Sequence, residues 1–418
     1  MKSKNVLILF FVITSIVNCD SFAQSSSSYT RFGIGDVDYS YSVRRMGMGQ
    51  LGISVADIDF ISIINPASLY RIGKTRIEFS LNYNGTFLSN NIQKNYFAET
   101  DFGGFTVGVP VSNKYGIGMA FGLVPFSNVS YKVLERSNST NPLIGDYEIE
   151  YSGKGGLSKV FISSSYLLPI DMAIGASLDY YFGNINYNSQ VNFINSSSFS
   201  SEYERNYQNR GIGGTFGIIS PDFSKLLELK SITDFRIGLA VNLFSSIKDD
   251  TMFTAKSVVG IDTLSSGTGE INIPTKLSLG TSFILNNKYL FSLDYSAQAW
   301  SKYSINNVSI TALRNAYKIS GGFEYRPIRV LGNTFWEQII LRAGLSYEQT
   351  QYLIYGKGIN QYSASLGVSL PLSNENTLDV GLMYARRGTK ELNLLQEDII
   401  KLGIGFSLGE LWFLRQDK

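Results

Sequence analysis

The side chains that could do chemistry in this chain are few in kind. Histidine is absent from the 418 residues and cysteine occurs once, at Cys19. That inventory excludes Ser-His-Asp and Cys-His nucleophilic catalysis and any metal site built on imidazole or thiolate. Carboxylates, lysines and hydroxyls remain, and two carboxylates with a lysine can perform acid-base chemistry when they are held together. No spacing here specifies such a site, and no nucleophile has a base beside it. The chain is therefore not expected to be an enzyme, and neither a cofactor nor a metal is expected. One motif invites a nucleotide, because Gly47, Gly49 and Gly52 form a GxGxxG. Dinucleotide binding needs a hydrophobic strand before that motif, a helix after it and an acidic residue about twenty positions on. None of the three is present, so these glycines are expected to serve tight turns.

Charge narrows the partners. Lys and Arg number 36 against 34 Asp and Glu, a net charge of +2, and no basic stripe with interleaved aromatics is found. Nucleic acid is not an expected partner. Aromatic residues reach 13%, with 26 Tyr and 27 Phe against 3 Trp, beside 40 Gly and 9 Pro. That mixture favours pleated, half-apolar strands over helices.

The chain opens like an exported protein. Lys2 and Lys4 precede an almost unbroken apolar stretch over residues 6–17, and Ser21 and Ala23 are small residues before Gln24. Residues 1–23 are read as a secretory signal peptide. A lipidated Cys19 is the rival reading, disfavoured by Asn18 before it, where a small residue is usually required. Beyond Gln24 no run approaches the eighteen or so apolar residues of a spanning helix.

The elements that must position everything else are strands. In residues 234–243, Phe235, Ile237, Leu239, Val241 and Leu243 alternate with Asp234, Arg236, Gly238, Ala240 and Asn242. The same period of two recurs over residues 173–182, 362–370 and 401–408. The second face is mostly Gly, Ser and Ala, whereas a soluble sandwich would turn Lys, Glu and Thr to bulk water. Small residues suit the inner wall of a barrel whose outer face meets lipid. Turn signals divide residues 75–409 into fourteen segments, the first at 75–89 and the last at 398–409. Short connections alternate with long ones such as 137–145, 249–270 and 388–396, as periplasmic turns alternate with external loops. Connection 221–233 is long where a short one is due, with a short helix expected at residues 226–229. The fold class is an all-β transmembrane antiparallel barrel of about fourteen strands, a monomer in membrane lipid of the cell outer membrane.

Residues 24–74 do not alternate, yet are too rich in Gly and apolar side chains for a disordered tail. A fourteen-stranded barrel is too wide for its own side chains to fill, so this segment is expected to plug the lumen, with residues 410–418 a periplasmic tail. The stretch from Arg45 to Leu69, RMGMGQLGISVADIDFISIINPASL, resembles the hatch signature of the FadL-type outer-membrane transporters, which carry long-chain fatty acids and other hydrophobic compounds. The resemblance covers about 25 residues and implies a fourteen-stranded barrel with an N-terminal hatch. It also implies that Arg45, Gly47, Gly49, Asn65, Pro66 and Ala67 take part in hatch gating. One departure is the C-terminus, LWFLRQDK, which lacks the terminal aromatic of many such barrels. The third strand carries Pro125, which supplies no ladder hydrogen bond. In the resembled family a kink in that strand opens the wall sideways, so Pro125 is a candidate lateral gate.

Inward charges, among them Asp179, Asp234, Arg236, Lys276, Lys318, Glu324, Arg326, Asp379 and Lys401, are expected to pair and to anchor the hatch. Trp300, Tyr303, Trp336, Tyr352, Tyr355 and Trp412 are expected in interfacial girdles. The leading function is passive uptake of a hydrophobic, fatty-acid-like small molecule. The alternative is a docking or scaffold barrel for secreted proteins or envelope machinery, and long ordered external loops around 249–270 would favour it.

Overall fold

The computed structural model describes residues 27–137, 146–194, 199–327, 334–373 and 375–410. The expected signal peptide, most of the tail and Trp412 lie outside them. Fourteen barrel strands run in chain order: β1 (Thr75–Ser89), β2 (Lys94–Ser112), β3 (Ile117–Pro125 and Ser127–Ser137), β4 (Asp146–Gly155 and Ser158–Leu167), β5 (Ala173–Ile194), β6 (Ser201–Ile219) and β7 (Ile232–Phe244 and Ile247–Ser257). They continue with β8 (Gly260–Asn272 and Lys276–Leu285), β9 (Tyr289–Gln298), β10 (Ala316–Tyr325), β11 (Ile340–Ile354), β12 (Lys357–Pro371), β13 (Thr377–Gly388) and β14 (Gln396–Glu410). All pairs are antiparallel, and β1 closes on β14 from Thr75↔Glu410 to Ser89↔Gln396.

The alternation in the sequence becomes two faces of one wall. On β7, Arg236, Gly238, Ala240 and Asn242 point inward and are buried, while Ile237 and Leu243 are exposed. Exposed apolar side chains recur around the barrel, including Leu178, Phe216, Leu279, Leu345 and Leu366. Water would penalise that belt and a bilayer accepts it, so this is a transmembrane barrel. Aromatic rows bound the belt. Tyr295, Tyr317, Tyr347 and Tyr362 stand in contact on β9 to β12. Phe235, Phe283, Phe291 and Phe323 do the same nearer the short turns. These rows replace the expected girdle, since Trp300, Tyr303 and Tyr352 are buried inside, at 3%, 0% and 0% exposure. Trp336 and Tyr355 are exposed.

Two connections differ from expectation. Residues 249–270 are no loop, because β7 and β8 continue as a paired hairpin from Ile247↔Ile271 to Ser257↔Gly260. Both faces of that stretch are polar or exposed, so no greasy stripe marked it as strand. The short helix in 221–233 is α2 (Phe223–Leu226), earlier than expected because the Asp222 side chain caps it by accepting from Ser224 N–H.

Residues 27–74 run inside the barrel from its external end down to Thr75. They include α1 (Val43–Met46) and a 3-10 turn at Pro66–Arg71, and Ile53, Asn65 and Ala67 are fully buried. The small inner face now has a sharper reason than concavity: it seats this segment. A Cβ on Gly175 would collide with the Ala67 nitrogen, one on Gly344 with that of Gly49, and one on Gly238 would stand 2.6 Å from the Ile53 carbonyl. Gly47 packs against Gly367, backbone to backbone.

A buried ion network fixes the segment to the wall. Glu324 on β10 accepts from Arg44 at 2.8 and 3.0 Å and from Arg342 of β11 at 2.6 Å. Arg326 adds bonds to Glu324 and to Asp57, which Arg44 also reaches at 3.0 Å. Arg342 continues to Asp379 on β13 at 3.1 Å. Burial would lift the Asp57 carboxyl, but the guanidinium groups of Arg326, Arg44 and Arg45 hold it below the usual carboxylate range. The other inward charges pair as well: Asp234 with Arg71 and Arg236, Asp179 with Lys159, Lys318 with Glu348, and Lys401 with Asp38. Lys276 instead faces the Tyr39 ring at 5.7 Å.

Removing one member of a buried pair strands its partners. Glu324→Gln should cost about 3–5 kcal/mol in reversible urea unfolding in lipid, against about 1 kcal/mol or less for Asp398→Asn, whose partner Arg386 is exposed. Gly175→Leu should leave the barrel closed, read as a folded band on gels, but expose residues 27–74 to protease.

Candidate functional site

Two features of the interior stand apart from this packing, and both sit where the upper part of the N-terminal segment meets strands β2 to β7. The first is a break in the wall. β2 pairs with β3 only from Phe105↔Leu123 to Ser112↔Ile117, so residues 94–104 of β2 have no strand on that side. The upper part of β3 turns inward and pairs with the N-terminal segment, Asp36↔Asn128 and Val37↔Ser127. Ser27 N–H extends this contact by donating to the Ser130 carbonyl at 3.0 Å.

The bend has a local cause. Pro125 ends the lower part of β3, and the N–H groups of Phe126 and Ser127 both donate to the one carbonyl of Leu157, at 2.8 and 3.0 Å. Two residues facing one is a bulge. Below it Val124 and Phe126 are buried, above it Ser127 and Val129, so the inward register slips by one residue. β4 and β5 bend with it through Gly155, Gly156 and Gly183 at φ of +117°, +149° and +158°. A side chain there would strike the backbone of the neighbouring strand.

Asn128 Nδ2 reaches across the break to Glu99 Oε1 at 3.2 Å. Behind it lies a polar chamber of about 140 Å³, lined among others by Asp36, Asp38, Glu99, Asp101 and Lys401.

The second feature is a larger cavity of about 540 Å³ at the external end. Phe32 and Ile34 of the N-terminal segment form one side, and Tyr131, Tyr187, Tyr207 and Phe253 form the wall. The rings touch one another: Tyr187 lies 6.2 Å from Tyr131 and 5.7 Å from Tyr207. Arg31 and Arg205 also line it, each over an aromatic face, Phe32 at 4.7 Å and Phe253 at 4.9 Å. Such a concave, ring-lined space with a few polar groups has the form of a small-molecule site.

The residues singled out in the sequence fall in three places. Arg45, Gly47 and Gly49 lie against β10 to β12; Arg45 donates to the Val55 carbonyl and to Asp57, at 3.2 and 3.3 Å. Asn65, Pro66 and Ala67 lie against β5 to β7. Asn65 Oδ1 accepts from Ala67 N–H, capping the 3-10 turn, while its Nδ2 donates to the carbonyls of Ile53 and Ile218 at 2.8 and 3.2 Å. Ile53 joins the two groups, for its own N–H donates to Asp294 on β9. Pro125 stands apart from both, at the foot of the break.

Arg44 and the whole aromatic cavity were not singled out in the sequence, and Asp57 entered only as part of the hatch signature; Arg44 and Asp57 are the centre of the ion network. Arg44 adjoins the motif arginine, and only the fold shows which of the pair meets Glu324. The cavity had a signal, Tyr203, Arg205, Tyr207 and Asn209 at alternate positions of β6. The segment read as a barrel strand, but that spacing alone did not show that its polar face encloses a cavity.

Three solved structures share the chain's fold. A monoaromatic hydrocarbon channel, CymD, is 17% identical with a TM-score of 0.56 over 92% of this chain and 100% of that one. A Pseudomonas aeruginosa FadL homologue gives 16% and 0.55 over 86% and 95%. The Pseudomonas putida toluene transporter TodX gives 14% and 0.54 over 90% and 99%. No curated protein sequence matches the chain. The expected FadL-type architecture is borne out as a fold, and barrels of this kind reside in outer membranes. The family model described as BamG matches residues 2–417, and the chain is a member of the BamG family.

Proposed function

We propose that the protein is a passive outer-membrane channel for a hydrophobic small molecule. The observation that carries this reading is the aromatic cavity, open toward the external side and walled in part by the N-terminal segment itself. Rings offer apolar contact to a ligand, while their hydroxyls keep the empty cavity wetted. The structural neighbours named for hydrocarbons and toluene support the same reading.

The route runs from this cavity to the break between β2 and β3, and residues 31–38 separate the two. Those residues are held by two strand pairs, a few side-chain bonds and the packing of Phe32, Ile34 and Val37. The part below them is locked by the ion network and by Asn65. In this mechanism Arg45, Gly47, Gly49, Asn65, Pro66 and Ala67 keep the lower plug closed to water and ions. The upper stretch shifts to join cavity and break, and Pro125, with the bulge after it, keeps the wall open for sideways exit into lipid. The barrel works as a monomer.

A second reading, a docking barrel for an envelope protein, is favoured by the external hairpin. Its tip exposes Val258, Val259, Ile261 and Leu264, with Val259 at 98% exposure.

Uptake of pentylbenzene by cells making the protein tests the first reading. A Glu99→Cys, Asn128→Cys pair joined by a short bis-maleimide should reduce the rate about tenfold, with each single cysteine near wild type. Pro125→Val, which restores an N–H at the fork, should lower the rate with the folded band unchanged. Wild-type rates for the linked pair would remove the lateral route. No uptake above cells lacking the protein would move the docking reading to first place.

A further inference from the structure

The buried end of the aromatic cavity is polar, and it holds acceptors without donors and an unpartnered hydroxyl. Asn209 on β6 and Asp249 on β7 are direct register partners, so their side chains stand together on the inner face. They are 1% and 2% exposed, and both line the cavity. Asp249 Oδ2 accepts from the Thr251 hydroxyl at 3.0 Å, but Oδ1 is buried with no partner. Asn209 donates through Nδ2 to the Tyr207 carbonyl at 3.3 Å, and its Oδ1 is likewise unpartnered. The third such group is the Tyr303 hydroxyl, 0% exposed, lining the same cavity and unpartnered.

The wall around them explains why nothing in the chain satisfies them. The residue opposite Asn209 on β5 is Gly183, and the residue opposite Asp249 on β8 is Gly269. Two acceptor side chains are thus flanked by two positions that carry no side chain to pair with them, a polar notch in an aromatic wall, with the Asn306 amide lying over Gly269 and the Gly156 backbone over Gly183. Among the described residues no lysine or arginine pairs with Asp249. Arg31 and Arg205 line the cavity too, but both are exposed. Along β6 the order Tyr203, Arg205, Tyr207, Asn209 runs from exposed to buried, which places Arg205 toward the mouth and the acceptors at the floor.

Leaving a buried polar group without a partner costs about 1–3 kcal/mol, and Asn209 Oδ1, Asp249 Oδ1, the Tyr303 hydroxyl and, on β5, Asn188 Oδ1 all stand unpartnered along this one cavity, a concentration that ordinary folding removes. We infer that the notch formed by Asn209, Asp249 and Tyr303 is a subsite for a hydrogen-bond donor, so that the ligand is a ring-bearing hydrophobic molecule with a hydroxyl. This rests on the cavity being the ligand site proposed above and names the class of compound it takes. A hydrocarbon fills the aromatic part and leaves the notch unpaired. A carboxylate sets a negative charge against Asp249. A hydroxyl donates a hydrogen bond to the carboxylate, accepts one in turn from the Tyr303 hydroxyl, and lets the rings close around its apolar body.

The test is a matched series, pentylbenzene, para-pentylphenol and para-pentylbenzoate, titrated by calorimetry into the full-length protein in detergent. A hydrogen bond to a charged group adds about tenfold or more in affinity. The phenol should therefore bind at least about tenfold more tightly than the hydrocarbon, with the benzoate weaker than the phenol. Asp249→Val, which fills the same space without an acceptor, should cut the phenol's advantage over pentylbenzene to within about threefold. Equal affinities for phenol and hydrocarbon in the wild type overturn the subsite and leave the channel reading standing. Tightest binding of the benzoate assigns the polar contact to Arg31 and Arg205 and overturns it as well. If no member of the series binds, the cavity is not a ligand site, and both readings fall together. The wild-type comparison decides the matter even where the variant does not fold.

Discussion

Glu324 takes hydrogen bonds from three guanidinium groups at once, those of Arg44, Arg326 and Arg342, and that arrangement fixes the lower part of the N-terminal segment against β10 and β11. A fourteen-stranded wall encloses more room than its own side chains occupy, so the barrel is complete only with something inside. The N-terminal segment supplies apolar bulk. Apolar bulk alone sets no register, because a greasy segment slides along a glycine-lined wall. A buried carboxylate shared between β10, β11 and the segment does set one, since each displaced cation would be left uncompensated in a dry interior. The glycines of the wall then become seats at defined heights, Gly344 for Gly49 and Gly175 for Ala67.

The upper half obeys a different constraint. There the wall itself is bent, and the segment repairs the edge that the bend exposes. An unpaired strand edge in a membrane is costly, and β3 meets that cost with Asp36 and Val37 in place of β2. The plug is therefore part of the ladder in its upper half and cargo of the barrel in its lower half. Any motion of residues 31–38 breaks strand pairs and opens the edge of β3 together, which links plug movement to the break in the wall.

How much of this was legible in the sequence depends on where lipid lies. Within the bilayer each strand has one apolar face and one small or charged face, and the fourteen strands could be read from that contrast to within a few residues. Above it both faces meet water, so the β7–β8 hairpin read as a loop, and the tyrosines of β5 and β6, though on segments read as strands, carried no sign of a cavity between them. The tryptophans misled for a related reason. An aromatic near a strand end marks an interface only if it points out, and Trp300 and Tyr303 lie in a connection that folds inward to pack beside Tyr352 and Leu313. The inward charges were legible as a set, because charge on an inner face must pair. Their individual partners were not, since pairing across β10, β11 and β13 is fixed by the shear of the barrel and not by spacing along the chain. Pro125 signalled a broken ladder, but the three glycines that carry the bend through β4 and β5 look in sequence like any others.

The chemistry of the external cavity follows from its position between these two regimes. A cavity in the hydrocarbon layer is lined by aliphatic side chains and fills with lipid. A cavity in water collapses if it is greasy. Tyrosine answers both demands: its ring offers an apolar face to a ligand, and its hydroxyl stays hydrated when none is bound. That argument accounts for Tyr131, Tyr187 and Tyr207, whose edges reach water. It does not account for Tyr303, Asn209 and Asp249, which are buried from water with polar atoms unused. Polar groups placed where solvent cannot reach them gain nothing from hydration, so their benefit comes only from a partner that enters the cavity. The tyrosines make the cavity tolerable when empty, and the acceptors at its floor set what it holds when filled.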